Sequence, residues 1–325
     1  MRIPLPGGIG FYFLLCAIFQ GAICLINTLD VRYWNCVMKK NFHCPDKDIR
    51  FYMYSHQTRT RKRVDIRSRV PLRYAGWDPE LKNVIIIHGF NGTESKVPMT
   101  YLRDAYLRRG DYNVFTVDWE DIAHFPCYLS AISNTRLVAQ CTAQFYSYLT
   151  AHGATAEKTV CVGHSLGAHI CGMISNHLTE KVHKIVGLDP ARPLVDRYGG
   201  KAFRLTRDDA HVVQVVHTNA GLLGENPQVG HVDFCMNGGT LQPSCLREGR
   251  RIRQARCSHF MSACYFAAAV LRGEDATFKG VPCTSSCRRI RGLEEFAVTM
   301  GEKTPDKARG TYCVTMTQIT TCPFD

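Results

Sequence analysis

The sequence predicts an α/β architecture: a mostly parallel central sheet with helices on both faces. Short, continuous apolar runs recur at 83–90 (NVIIIHGF), 113–119 (NVFTVDW), 158–165 (KTVCVGHS), 183–190 (HKIVGLDP) and 211–218 (HVVQVVHT). Apolar runs without polar alternation suit strands buried on both faces of a parallel sheet. Helical periodicity lies between them. Val138, Cys141, Phe145, Tyr148 and Leu149 share one face of a helix that Gly153 can end, and Leu166, Ile170, Met173, Ile174 and Leu178 repeat the pattern. Strands alternating with helices imply crossover units. The chemistry of such a sheet is expected at the carboxyl ends of its strands.

Composition sets the compartment. At 325 residues, 45% hydrophobic and 21% charged, the chain is ordinary globular material, and no repeat or linker divides it. Sixteen cysteines point to an oxidising environment. Arg2 precedes the apolar run IGFYFLLCAIF (9–19), and small residues follow at Gly21, Ala22 and Cys24. That pattern reads as a secretory signal over 1–24, with one domain over 25–325 and an extracellular destination. The apolar stretch is interrupted by Gln20 and is shorter than the ~20 residues a membrane span needs. The formal charge of +12 favours anionic surfaces. It is concentrated at 59–69 (RTRKRVDIRSR), read as a solvated loop, and at 246–256 (LREGRRIRQAR). A secreted chain without a recognition motif has no use for nucleic acid, so anionic lipid or glycan is the expected partner. Asn91-Gly92-Thr93 is a glycosylation sequon.

The stretch TVCVGHSLGAHICG (159–172) sets Ser165 in a G-x-S-x-G frame between a strand and a helix. A sharp turn there exposes the serine, and the helix amino terminus aims its dipole and free N–H groups at the same spot. A serine hydroxyl needs a base to take its proton and an acid to orient that base, in the chain order serine, acid, histidine. Asp189 ends the next strand. Of thirteen histidines, His259 suits a base placed beyond the acid, with His211, His217 and His231 as weaker alternatives. Oxyanion donors are expected from the backbone N–H of Leu166 and from the loop HGFNG (88–92), with Phe90 the second donor.

Together, IIIHGFNG, NVFTVDW, VGHSLGAH, IVGLDPARP, VVHTN, DFCMNGG and CSHF resemble, in order and spacing, the animal lipases of the pancreatic lipase family. The likeness is to the secreted insect lipase and phospholipase A1 branch. The resemblance implies the α/β-hydrolase fold, Ser165 as nucleophile, Asp189 as acid and His259 as base, with Phe90 and Leu166 at the oxyanion hole. No carboxy-terminal β-sandwich is expected before Asp325, so no colipase-type partner is implied. The family's calcium loop corresponds to KAFRLTRDDAHVV, where Asp209 remains but Lys201 and Thr206 replace acidic ligands. No metal and no cofactor are therefore expected.

The resemblance also places a disulfide-closed lid at Cys245 and Cys257, enclosing eleven residues. A short lid resembles the phospholipase A1 branch. Arg247, Arg250, Arg251, Arg253 and Arg256 suit phosphate, whereas only Leu246 and Ile252 suit acyl chains. The expected activity is cleavage of a fatty acyl ester of a glycerolipid presented in aggregates or at a membrane surface. The phospholipid sn-1 ester leads, and triacylglycerol or galactolipid is the alternative substrate. A non-catalytic lipid carrier or yolk-like protein is the alternative of another class. For the remaining cysteines, Cys36 with Cys127, and bridges among Cys264, Cys283, Cys287, Cys313 and Cys322, are candidates. Cys161 and Cys171 read as packed thiols.

Overall fold

The computed structural model describes residues 35–316, apart from 56–59, 69, 196–199, 227 and 274–275. The expected signal at 1–24, and Cys322, lie outside the described residues. Within them, eleven strands form one sheet: β1 (Arg50–Tyr54), β2 (Arg61–Val64), β3 (Lys82–Ile87), β4 (Tyr112–Asp118), β5 (Thr159–His164), β6 (Val182–Leu188), β7 (Ala210–His217), β8 (Val232–Met236), β9 (Lys279–Pro282), β10 (Val298–Thr299) and β11 (Gly310–Val314). Their order is β10-β9-β11-β8-β7-β6-β5-β3-β4-β1-β2. Every pairing from β4 across to β11 is parallel. The outer pairings at both edges are antiparallel.

Four α-helices cover the sheet among the described residues: α1 (Met99–Arg109), α2 (Tyr128–Ala151), α3 (Leu166–Ile174) and α4 (Arg251–Arg272). The pleat sends successive side chains to opposite faces, and it divides the core in two. Ile85, Ile87, Phe115 and Val117 pack with α2 and α3. Val84, Ile86, Val114 and Val162 pack with α1 and α4. The central strands are buried almost throughout because both faces are covered. This is the α/β-hydrolase architecture, and none of the described helices is long and apolar enough to cross a membrane.

Three expectations need correction. Residues 61–64, within the stretch read as a solvated loop, form the edge strand β2, in which only Val64 is buried. Its charged side chains remain in water while its backbone pairs with β1, and Arg61 reaches the buried Glu94 at 2.8 Å. Cys161 and Cys171 are not packed thiols but a disulfide, because α3 doubles back along β5 and brings their Cα atoms to 5.8 Å. The lid is less of a loop than its sequence suggested: Arg251 to Arg256 form the opening turns of α4.

Six disulfides lie among the described residues, the pattern of an oxidising compartment. Cys36–Cys127, Cys245–Cys257 and Cys283–Cys313 join residues expected to pair. Cys44–Cys141 and Cys235–Cys287 were not foreseen. Cys235, Cys283 and Cys313 place their sulfurs together, but all three are spent in disulfides and offer no thiolate to a metal.

Candidate active site

Ser165 caps α3 with a positive φ of 57°, which costs an L-residue on the order of 1–3 kcal/mol unless its surroundings enforce it. Here they do. Its N–H donates to Leu188 O at 3.0 Å, tying the end of β5 to that of β6, and the Cys161–Cys171 bridge spans the turn. Close packing demands the glycines: a Cβ on Gly167 would lie 2.2 Å from Ile87 O, and one on Gly163 2.2 Å from Gly167 O. Backbone cannot step aside as a side chain can, so Gly167→Ala is expected to cost about 3 kcal/mol by urea unfolding. An unchanged midpoint would contradict the packing.

The loop after β3 lies against the serine. A Cβ on Gly89 would stand 2.6 Å from Ser165 Cβ, and Leu166 is the first residue of α3. The loop is held by His88, which is buried. Its Nδ1–H donates to Gly89 O at 2.8 Å and its Nε2 accepts from Trp119 N–H at 3.0 Å. The Phe90 ring meets Tyr128 edge-on at 4.9 Å. Asn91 is exposed, with its Oδ1 accepting from Phe125 N–H at 3.2 Å.

Asp189 follows β6 and is fully buried. Its Oδ1 accepts from Thr218 N–H at 2.9 Å and Asn219 N–H at 3.0 Å. Its Oδ2 lies 2.6 Å from His259 Nδ1. His259 rides on α4 rather than on a loop, because the helix begins eight residues before it. His164 wedges between the elbow and that helix, its ring 4.6 Å from that of His259 and its Nε2 3.1 Å from His259 O. Burial, with His259 nearby, pushes the His164 pKa well below the ordinary imidazole range. His164 is therefore neutral and donates to that carbonyl. Among the described residues Ser165 Oγ and His259 Nε2 carry no hydrogen bond, either to each other or to another group. The alternative bases lie elsewhere in use: His211 is exposed, His231 Nδ1 accepts from Val213 N–H at 3.1 Å, and His217 pairs with Asp233.

His217 and Asp233 were missed as a pair, as was Gln242. Both nitrogens of the buried His217 face acceptors, Glu225 O at 3.2 Å and Asp233 Oδ1 at 2.8 Å. Burial opposes its charge, but the Asp233 hydrogen bond and charge outweigh burial and raise its pKa. It anchors the segment that grips Asp189, since Asp189 N–H donates to Val216 O at 2.8 Å. Gln242 is fully buried and donates to Thr218 O at 3.0 Å and Met236 O at 2.9 Å. The available signal was a strand run ending on a histidine, whose buried ring needs partners. A lone glutamine gives no such signal.

His169 braces the acid loop, with Nε2 donating to Ala191 O at 2.7 Å and Nδ1 accepting from Leu205 N–H at 3.0 Å. Burial pushes its pKa down to about 4. The unfolded chain therefore binds this proton more readily, so the stability present above pH 6.5 is lost as pH falls toward 4, by about 2 kcal/mol at pH 5 from this group. Urea titrations at pH 7 and pH 5 should show that His169→Gln flattens the loss. An equal slope in the variant would contradict the assignment.

In the segment closed by the Cys245–Cys257 disulfide, Leu246, Arg247, Arg250, Arg251 and Arg253 are exposed. Arg256 is half-buried, its guanidinium over the Phe260 ring at 5.6 Å. Gln254 Nε2 holds the start of that segment, donating to Leu246 O at 3.2 Å and Glu248 O at 2.9 Å.

The loop aligned with the family's calcium site does not fit a dication. Thr206 and Asp209 form a capping box with each other, and a Cβ on Gly172 would meet Asp209 Oδ2 at 2.7 Å, so that carboxylate is committed inward. Calcium takes six to eight oxygens, and Lys201 lies within 4 Å of Asp208 instead.

A family model described as Lipase matches residues 31–292. Lipase member H-A of Xenopus laevis is 37% identical over 210 residues, 63% of this chain and 44% of its own length. Lipase member H of Oryctolagus cuniculus is 30% identical over 279 residues, 82% of this chain and 59% of its own. Phospholipase A1 of Vespula vulgaris is 34% identical over 220 residues, 64% of this chain and 63% of its own. The matched stretch thus spans less than two thirds of each relative's length. With the family match covering most of the sequence and the sheet and elbow in place, the chain belongs to the lipase family.

Proposed function

We propose that the protein is a secreted serine carboxylester hydrolase acting on glycerolipids, with the sn-1 acyl ester of phospholipids as its substrate. The observation that carries the reading is the 2.6 Å contact between Asp189 and His259, made beside a strained serine that has no competing hydrogen bond. Ser165 Oγ attacks the ester carbonyl while His259 Nε2 takes its proton. The negative charge that forms on the carbonyl oxygen is received by the N–H groups of Phe90 and Leu166. His259 returns the proton to the departing glycerol oxygen, and water then hydrolyses the acyl-enzyme by the same route, releasing the fatty acid. The Asp189 carboxylate fixes the imidazole with its proton on Nδ1.

The lid supports phospholipid. Its exposed arginines outnumber its exposed apolar groups, and guanidinium groups pair with phosphate by forked hydrogen bonds. The relative named phospholipase A1 favours the same direction. The test is a lipid-class panel run with and without chelator. Phospholipid vesicles should be turned over in preference to triacylglycerol emulsions, and chelator should change neither rate. Replacing Arg247, Arg250, Arg251 and Arg253 together by Gln should lower the rate on anionic vesicles at least about tenfold, since each surface cation contributes roughly 1 kcal/mol of attraction. A preference for neutral lipid would overturn the lid argument.

A further inference from the structure

A cavity of about 430 Å³ lies between the segment after Asp189, the loop 201–208 and residues 225, 226, 228 and 229, and its walls carry Arg192, Lys201, Arg204 and Arg207 against Asp208 and Glu225. Of its cations, Arg192, Arg204 and Arg207 form no ion pair among the described residues. Arg192 and Arg207 donate to backbone carbonyls, those of Gly221 and Gln228. Lys201 stands 3.8 Å from Asp208, with both groups well exposed. The Arg204 guanidinium, half-buried, makes no hydrogen bond or ion pair among the described residues. Four cationic residues against two carboxylates line one concave site, a balance that favours an anion over the dication that the family loop implies.

We infer that this pocket binds a tetrahedral phosphate-type oxyanion. Arg204 and Arg207 offer planar forks and Lys201 a point charge, a combination suited to three or four oxygens around one centre. The pocket is stitched to the acid loop: Arg192 N–H donates to Leu223 O at 2.8 Å, and Glu225 N–H donates to Pro190 O at 2.8 Å. A bound oxyanion therefore bridges the segment that follows Asp189, the loop 201–208 and the residues beside Glu225. The inference stands apart from the esterase reading, since binding requires no turnover.

The test uses the full chain. Inorganic phosphate, titrated at constant ionic strength, should raise the thermal unfolding midpoint saturably, while calcium chloride should not. Lys201→Gln with Arg207→Gln, both at exposed positions, should weaken phosphate binding at least about tenfold. Arg204→Gln should do the same. Co-sedimentation with vesicles of ether-linked phosphatidylcholine, with and without ether-linked phosphatidic acid, identifies the source. Recruitment by phosphatidic acid that phosphate competes away, and that the double variant loses, assigns a lipid headgroup. A phosphate response without recruitment assigns the free anion. No saturable response to either source, equal responses in the folded double variant, or stabilisation by calcium would overturn the inference.

Discussion

Ser165→Ala is expected to lower kcat about 10⁶-fold, some 8 kcal/mol of barrier, with KM nearly unchanged. The loss is that large because, in the proposed mechanism, the hydroxyl is the attacking atom and the groups around it act as a unit. Without the hydroxyl, Asp189 and His259 have nothing to activate. The fold should tolerate the change. Ser165 Oγ carries no structural hydrogen bond among the described residues, and alanine keeps the Cβ that touches the Gly89 loop. Ser165→Gly separates chemistry from strain: it should be equally inactive yet more stable by about 1 kcal/mol, because glycine adopts φ 57° without penalty. Steady-state kinetics and urea unfolding on the two variants check both halves. An alanine variant with a tenth of the original activity would remove Ser165 from the chemistry.

Asp189→Asn should cost about 10⁴-fold in kcat, and the hydrogen bonds show why an isosteric change does so much. Oδ1 accepts from two backbone N–H groups, those of Thr218 and Asn219. An asparagine must keep its oxygen there, which turns its NH₂ toward His259. Nδ1 then has to accept, the ring proton moves to Nε2, and the atom that should take the serine proton already holds one. The variant should fold, since the same backbone donors remain satisfied. It should also stay more active than Ser165→Ala, because the nucleophile and the oxyanion donors persist. An asparagine variant at wild-type rate would show that the carboxylate has no part in orienting the base.

Much of this arrangement was legible in the sequence. The inner strands were, because burial on both faces forces continuous apolar runs such as VIII at 84–87. The elbow was, because its glycines answer to backbone contacts that tolerate no Cβ. The edges of the sheet were not: β2 reads RKRV, a sequence of surface charge whose pairing with β1 lies in backbone groups that leave no trace in side-chain pattern. The start of α4 was hidden because arginines at Arg251 and Arg253 oppose the helix dipole, where acidic residues would mark an amino terminus. The Cys161–Cys171 bridge was missed for a geometric reason, since pairing a strand residue with a helix residue ten positions on requires knowing that the helix doubles back. Asp189 was placed by its position at a strand end. Its supporting cast of His217, Asp233 and Gln242 came from three separate segments that only the folded sheet brings together.

The central claim is that Ser165 is a nucleophile activated by His259 and Asp189. Reaction of the intact protein with a fluorophosphonate, followed by peptide mass spectrometry, tests it most directly. One adduct per chain is expected on the peptide carrying Ser165, absent from Ser165→Ala and greatly slowed in Asp189→Asn. Absence of labelling in the intact, folded protein, or labelling that persists in Ser165→Ala, would contradict it and favour a lipid carrier that keeps the fold without the chemistry.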